Sequence, residues 1–166
     1  MTDTSAHIDA HLAEILSTVS DPEIPVLSIM DMGVVRTASL NDGIAHITIT
    51  PTYSGCPAMD VIGDDIKKVL RQNGIESTVA LVLSPAWSTD WITEKGRKAL
   101  EDYGIAAPLE ESHDKMALLG NAKLVKCPLC GSTDTRLVSQ FGSTACKALF
   151  QCNDCHEPFD YFKCLK

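Results

Sequence analysis

Apolar residues at helical spacing alternate with short β-branched runs up to about residue 104, and two Cys-x-x-Cys pairs follow beyond residue 126. This order predicts an α+β fold: a small mixed sheet of about three strands with packed helices over residues 1–104, a linker over 105–122 and an all-β, four-cysteine zinc ribbon over 123–166.

The first element is a helix, because Ile8, Leu12, Ile15, Leu16 and Val19 share one face while Asp9, Glu14 and Ser17 fall elsewhere. It ends at Ser20-Asp21-Pro22, since the residue before a proline avoids the α region. His7 and His11 lie four apart on it and read as a solvated pair. Asp21-Pro22-Glu23-Ile24-Pro25 is a rigid acidic turn, which pattern alone reads as a helix-to-strand connection. Residues 33–38 and 45–50 form an antiparallel hairpin about Asn41-Asp42-Gly43. Ala45, Ile47 and Ile49 face inward, and His46 lies on the polar side.

A second helix starts near Cys56-Pro57, with Met59, Ile62, Ile66, Val69 and Leu70 as its buried stripe and Asn73-Gly74 as its stop. Pro57 suits the first helical position, which puts Cys56 at the cap. A thiolate there faces unpaired amides and the positive end of the helix dipole, so its pKa is expected to fall. Asp60, one turn on, opposes that fall or serves as a second ligand. Position alone equally allows Cys56 to be a small buried apolar residue. Residues 78–83 are apolar on both faces and predict a central strand. Trp87 and Trp91 then straddle the start of a helix running to about Tyr103 and read as its core anchors, with Gly104 as its cap.

In the ribbon, Cys127, Cys130, Cys152 and Cys155 form two pairs separated by 21 residues. Each pair presents two thiolates from one tight turn, and two facing turns complete a tetrahedral sulfur site. Gly131 permits the positive φ of the first knuckle. The ribbon is too small to hold much core, so its metal must do much of the folding. Structural zinc contributes about 10–16 kcal/mol in small finger peptides. Iron–sulfur chemistry uses the same four ligands. Strands are expected over 135–141, 147–151 and 159–163. Cys146 and Cys164 stand outside the pairs, and His156 is excluded as a ligand by its adjacency to Cys155.

Residues 1–122 carry 8 Lys/Arg against 18 Asp/Glu, and residues 123–166 carry 6 against 4. So acidic a body repels a phosphate backbone, and so weak a basic excess makes no footprint; nucleic acid is not an expected partner. The N-terminal Met1-Thr2-Asp3-Thr4 lacks the basic and apolar regions of an export signal, and no segment has the length of a membrane span. With seven cysteines, this predicts reduced thiols, metal binding and a cytoplasmic location, without a membrane partner. No Gly-rich nucleotide loop, di-iron ligand run or nucleophile elbow is present, so no catalytic residue is expected.

Three segments carry a family resemblance: Asp21-Pro22-Glu23-Ile24, Asp31-Met32-Gly33-Val34-Val35, and Thr50-Pro51-Thr52 leading to Gly55-Cys56-Pro57. Over roughly residues 8–105 the chain resembles the metal–sulfur cluster biosynthesis domain family. Trp87-Ser88-Thr89-Asp90-Trp91-Ile92-Thr93, Cys127-Pro128-Leu129-Cys130-Gly131-Ser132, the 141–147 loop and Glu157-Pro158-Phe159 narrow the likeness. They resemble the D-subunit family of phenylacetyl-CoA epoxidase systems, also called the PaaJ family of phenylacetate-CoA oxygenase subunits. Val34 departs from the leucine or isoleucine common in the broader family, a small change of volume.

That resemblance implies an accessory role in aerobic phenylacetate catabolism. The chain would assist maturation or repair of iron or iron–sulfur cofactors of a multicomponent di-iron monooxygenase, without performing the epoxidation. It favours Cys56 as the functional thiol, with Asp21 and Glu23 as companions, transient iron or a cluster as cargo, and zinc in the ribbon. The client would be the reductase or the hydroxylase component, and an edge strand leaves room for a homodimer. The alternative is a non-catalytic structural or regulatory component of the same complex.

Overall fold

The computed structural model describes residues 7–109, 111–119 and 124–163. Residues 1–4 and Cys164, on which the sequence raises expectations, lie outside the described residues. The chain folds as two compact units, residues 1–87 and 88–166.

The first unit opens with helix α1 (Ala10–Leu16), shorter than the periodic stretch because Asp9 caps it. The Asp9 carboxylate accepts from the amides of His11 (2.9 Å) and Leu12 (3.1 Å). Strands β1 (Val35–Asn41) and β2 (Ile44–Ile49) pair antiparallel as expected. Asp42 and Gly43 both take positive φ in the two-residue turn between them, which matches the right-handed twist of the hairpin. Helix α2 (Ala58–Gln72) buries Ala58, Met59, Ile62, Ile66 and Leu70. It then returns the chain to β3 (Glu76–Leu81), parallel to β2.

The sheet order is β1-β2-β3, so β3 is an edge strand and β2 the central one. This corrects the reading of residues 78–83 as central. The crossover through α2 lays β3 on the side of β2 away from β1, and Leu81 and Leu83 stay 54% and 59% exposed.

Trp87 and Trp91 do not act as a pair. Trp87 is buried in the first unit, where its Nε1 donates to the Met32 carbonyl at 3.0 Å. That bond holds the loop in which Gly33 takes a φ of +73°. Trp91, half-buried, belongs to a 3-10 turn (Thr89–Trp91) of the second unit, ahead of helix α3 (Glu94–Asp102).

The second unit corrects the expected linker over 105–122. Strand β4 (Ile105–Ala106) pairs parallel with β7 (Pro158–Phe162) and extends the ribbon sheet to four strands, β4-β7-β6-β5, with β5 at Thr135–Ser139 and β6 at Lys147–Cys152. Helix α4 (Glu111–Leu118) follows β4 in the chain. Ala106 and Ala117 join Val125, Phe150, Phe159 and Tyr161 in one core, and the Leu109 amide donates to the Tyr161 hydroxyl at 3.1 Å. These residues lack a sustained apolar period because they contribute single small side chains to a core whose bulk comes from later in the chain. The domain boundary expected at residue 104 therefore falls inside the second unit. Among the described residues no helix is long and apolar enough to cross a membrane.

Replacing Trp87 with Phe removes the donor and leaves the Met32 carbonyl buried without it. We expect a loss of about 1–3 kcal/mol in the denaturant-induced unfolding of the first unit.

Candidate functional site

Asp21 is 4% exposed, and its Oδ1 accepts from the amides of Glu23 and Ile24, both at 2.8 Å. This turn, expected as a mere connector, is thereby fixed, with Glu23 half-buried. Cys56 lies just ahead of α2; Pro57, not Cys56, occupies the cap position, and it has no capping side chain.

The Cys56 thiol brings these segments together electrostatically. Burial pushes its pKa up from the ordinary thiol value, and the charges of Glu23 and then Asp21 push it further. A bond from the Ala58 amide and one from the Thr52 side chain pull the other way and do not prevail. The expected fall is overturned: a helix-terminal amide is present, but desolvation and two carboxylates outweigh it. The balance holds Cys56 toward its protonated thiol form. Asp60 is exposed in the first turn of α2 and is not among the charges acting on Cys56.

The sequence alone gives no role to Thr52, which is 5% exposed and bonded to Cys56. The only signal is its place in the Thr50-Pro51-Thr52 segment. Thr50 Oγ1 is buried without a hydrogen-bond partner among the described residues. His46 is exposed, with Nδ1 2.9 Å from Thr78 Oγ1, and His11 is exposed near the start of α1.

In the second unit the four ribbon cysteines converge, with all four Sγ atoms within 4.8 Å of one another. Cys130 and Cys152 lie 3.5 Å apart and Cys127 and Cys155 3.8 Å. A zinc ion with sulfur ligands at the usual distance places them at the corners of a tetrahedron with edges of about 3.8 Å. The donor set and its spacing fit zinc, with Cys127, Cys130, Cys152 and Cys155 as ligands. The two knuckles are braced by residues that local spacing does not single out. Ser132 Oγ donates to Asp154, and Asn153 bonds Asp134 through its amide (2.8 Å) and its side chain (2.9 Å). Cys146 sits apart, buried, with Sγ 3.1 Å from Thr144 Oγ1.

Residues 9–82 match the family model described as "Iron-sulfur cluster assembly protein", and residues 111–163 match the "PaaD zinc beta ribbon domain". Fold and site together define an iron–sulfur cluster assembly domain joined to a zinc ribbon. The putative D subunit of the 1,2-phenylacetyl-CoA epoxidase of Escherichia coli is 48% identical over 152 residues, covering 91% of this chain and 90% of that protein. The chain belongs to the family of these epoxidase D subunits. The "Fe-S protein maturation auxiliary factor YitW" of Bacillus subtilis is 35% identical over 88 residues, 51% of this chain and 85% of its own. Among solved structures, a domain of unknown function (DUF59) from Bacillus anthracis is similar with a TM-score of 0.51 and 34% identity, covering 54% of this chain and 88% of that one.

Two outcomes are expected. Purified protein should carry one zinc per chain, and Cys152→Ser should lose it and unfold the second unit, read by metal analysis and proteolysis. Alkylation of Cys56 by iodoacetamide should rise with pH through a midpoint above that of a free thiol. Removing a negative charge lowers that midpoint, so Glu23→Gln should speed alkylation at about pH 7.5, measured by mass spectrometry.

Proposed function

We propose that the protein is an auxiliary factor of aerobic phenylacetate degradation, assisting maturation or repair of iron or iron–sulfur cofactors in a phenylacetyl-CoA epoxidase complex. The carrying observation is the Cys56 thiol held under the charges of Glu23 and Asp21 in a domain of the iron–sulfur assembly type. Support for the pathway comes from the Escherichia coli relative, and support for the maturation role from the auxiliary factors similar to the first unit.

The chemistry follows from the charges. Two carboxylates disfavour a bare thiolate beside them but favour a cation there. An incoming iron(II) ion takes the place of the Cys56 proton, which leaves to solvent as the sulfur–metal bond forms. Glu23 compensates the metal's charge. Asp21 acts mainly by fixing the loop, since its Oδ1 already serves two amides. When client thiolates take the ion away, Cys56 regains a proton and returns to its neutral state. Binding thus remains reversible, which suits transfer better than storage. The ribbon holds zinc and serves as the docking module for the reductase or hydroxylase component. The chain itself performs no oxygenation.

A second reading, a structural or regulatory component, draws on that same engagement of Asp21 with backbone amides, which is a folding role. Cys56→Ser separates the two when the variant replaces the wild type beside its epoxidase under iron limitation. The maturation reading expects client iron content and epoxidase activity to fall about tenfold or more with zinc unchanged. Activity retained in full would favour the structural component.

A further inference from the structure

The four zinc ligands are not equally protected. Cys127 and Cys152 are 0% exposed, Cys155 is half-buried, and Cys130 is open to solvent. The amides that point at the sulfurs sharpen this difference. Cys152 accepts from the amides of Cys155 and Asp154, Cys130 from that of Ser132 and Cys155 from that of Glu157. Each N–H bond draws electron density from a metal-bound thiolate and occupies a direction of approach. Cys130 is therefore the least shielded of the four.

The surroundings of Cys130 are also open. Leu129 is 58% exposed, and Gly131 has no side chain to overhang the sulfur. A Cβ at Gly131 would meet only Lys126 Cε, at 3.5 Å, so an exposed ammonium group accompanies this knuckle.

We propose that Cys130 is the modification site of the ribbon, the ligand at which peroxide and other electrophiles attack first, and that Cys152 then closes a disulfide with it and expels the zinc. Hydrogen peroxide is the oxidant. Cys130 Sγ displaces hydroxide from peroxide and becomes a sulfenic acid. Cys152 Sγ, 3.5 Å away, attacks it, forming the S–S bond as a second hydroxide leaves. Two thiolates lose two electrons, peroxide gains them, and two protons from solvent complete two waters. Cys127 and Cys155 remain as two ligands, too few to retain a structural zinc. Because Cys127 and Cys152 also belong to the core, metal loss is transmitted directly to the packing of the second unit. This inference does not depend on the role given to Cys56.

The test uses the zinc-loaded full chain. Equimolar hydrogen peroxide is added with a chromogenic zinc chelator present, and the product is mapped by non-reducing peptide mass spectrometry. One zinc per chain should be released together with a Cys130–Cys152 linked peptide, and thiol reductant with added zinc should restore the starting state. In parallel, brief N-ethylmaleimide treatment of unoxidised protein, requiring no variant, should label Cys130 about tenfold more than any other ribbon cysteine. Labelling spread evenly over the four or led by Cys155, zinc retained under peroxide, or a disulfide that omits Cys130 would each overturn the proposal.

Discussion

Four sulfur atoms within 4.8 Å of one another cannot all carry negative charge unless a cation lies among them. The second unit is organised around that constraint. Two of the ligands, Cys127 and Cys152, are fully buried members of the same cluster as Phe150, Phe159 and Tyr161. Phe150 stacks near Phe159 at 6.0 Å between ring centroids and meets Tyr161 edge-on at 5.4 Å. Metal binding and core packing thus share residues. The Ser132–Asp154 and Asp134–Asn153 bonds keep the two knuckles facing each other.

The first unit resolves a different tension. It holds a thiol under two acidic groups, in a position where a helix-end amide alone would have made it acidic. A thiol of that kind is quiet toward anions and electrophiles, yet suited to exchange its proton for a metal cation. The two units therefore offer opposite sulfur environments. One is a single thiol held beside two carboxylates, and the other a set of four cysteines whose spacing fits a zinc ion.

The two Cys-x-x-Cys pairs are legible because their chemistry is written in local spacing, and the β1–β2 hairpin because its turn residues demand positive φ. The stripe of α2 shows in its period. What escapes a reading of the sequence depends on residues far apart in it. The edge position of β3 is set by the path of the crossover, which strand composition does not encode. Trp87 and Trp91 lie four apart yet serve different units, one answering to Met32. The raised pKa of Cys56 is hidden because the turn at Asp21 and Glu23, more than thirty residues earlier, folds back onto it. The stretch after residue 104 looks like a linker because a strand of two residues leaves almost no periodic trace.

That short strand has a consequence for the order of events during synthesis. Ile105 and Ala106 find their partners at Asp160 and Tyr161, beyond every metal ligand of the ribbon. A chain emerging from the ribosome exposes Cys127 through Cys155 before β7 exists. All four ligands are therefore available to an ion while β4 still lacks its neighbour, and the pairing of β4 waits on the C-terminal strand.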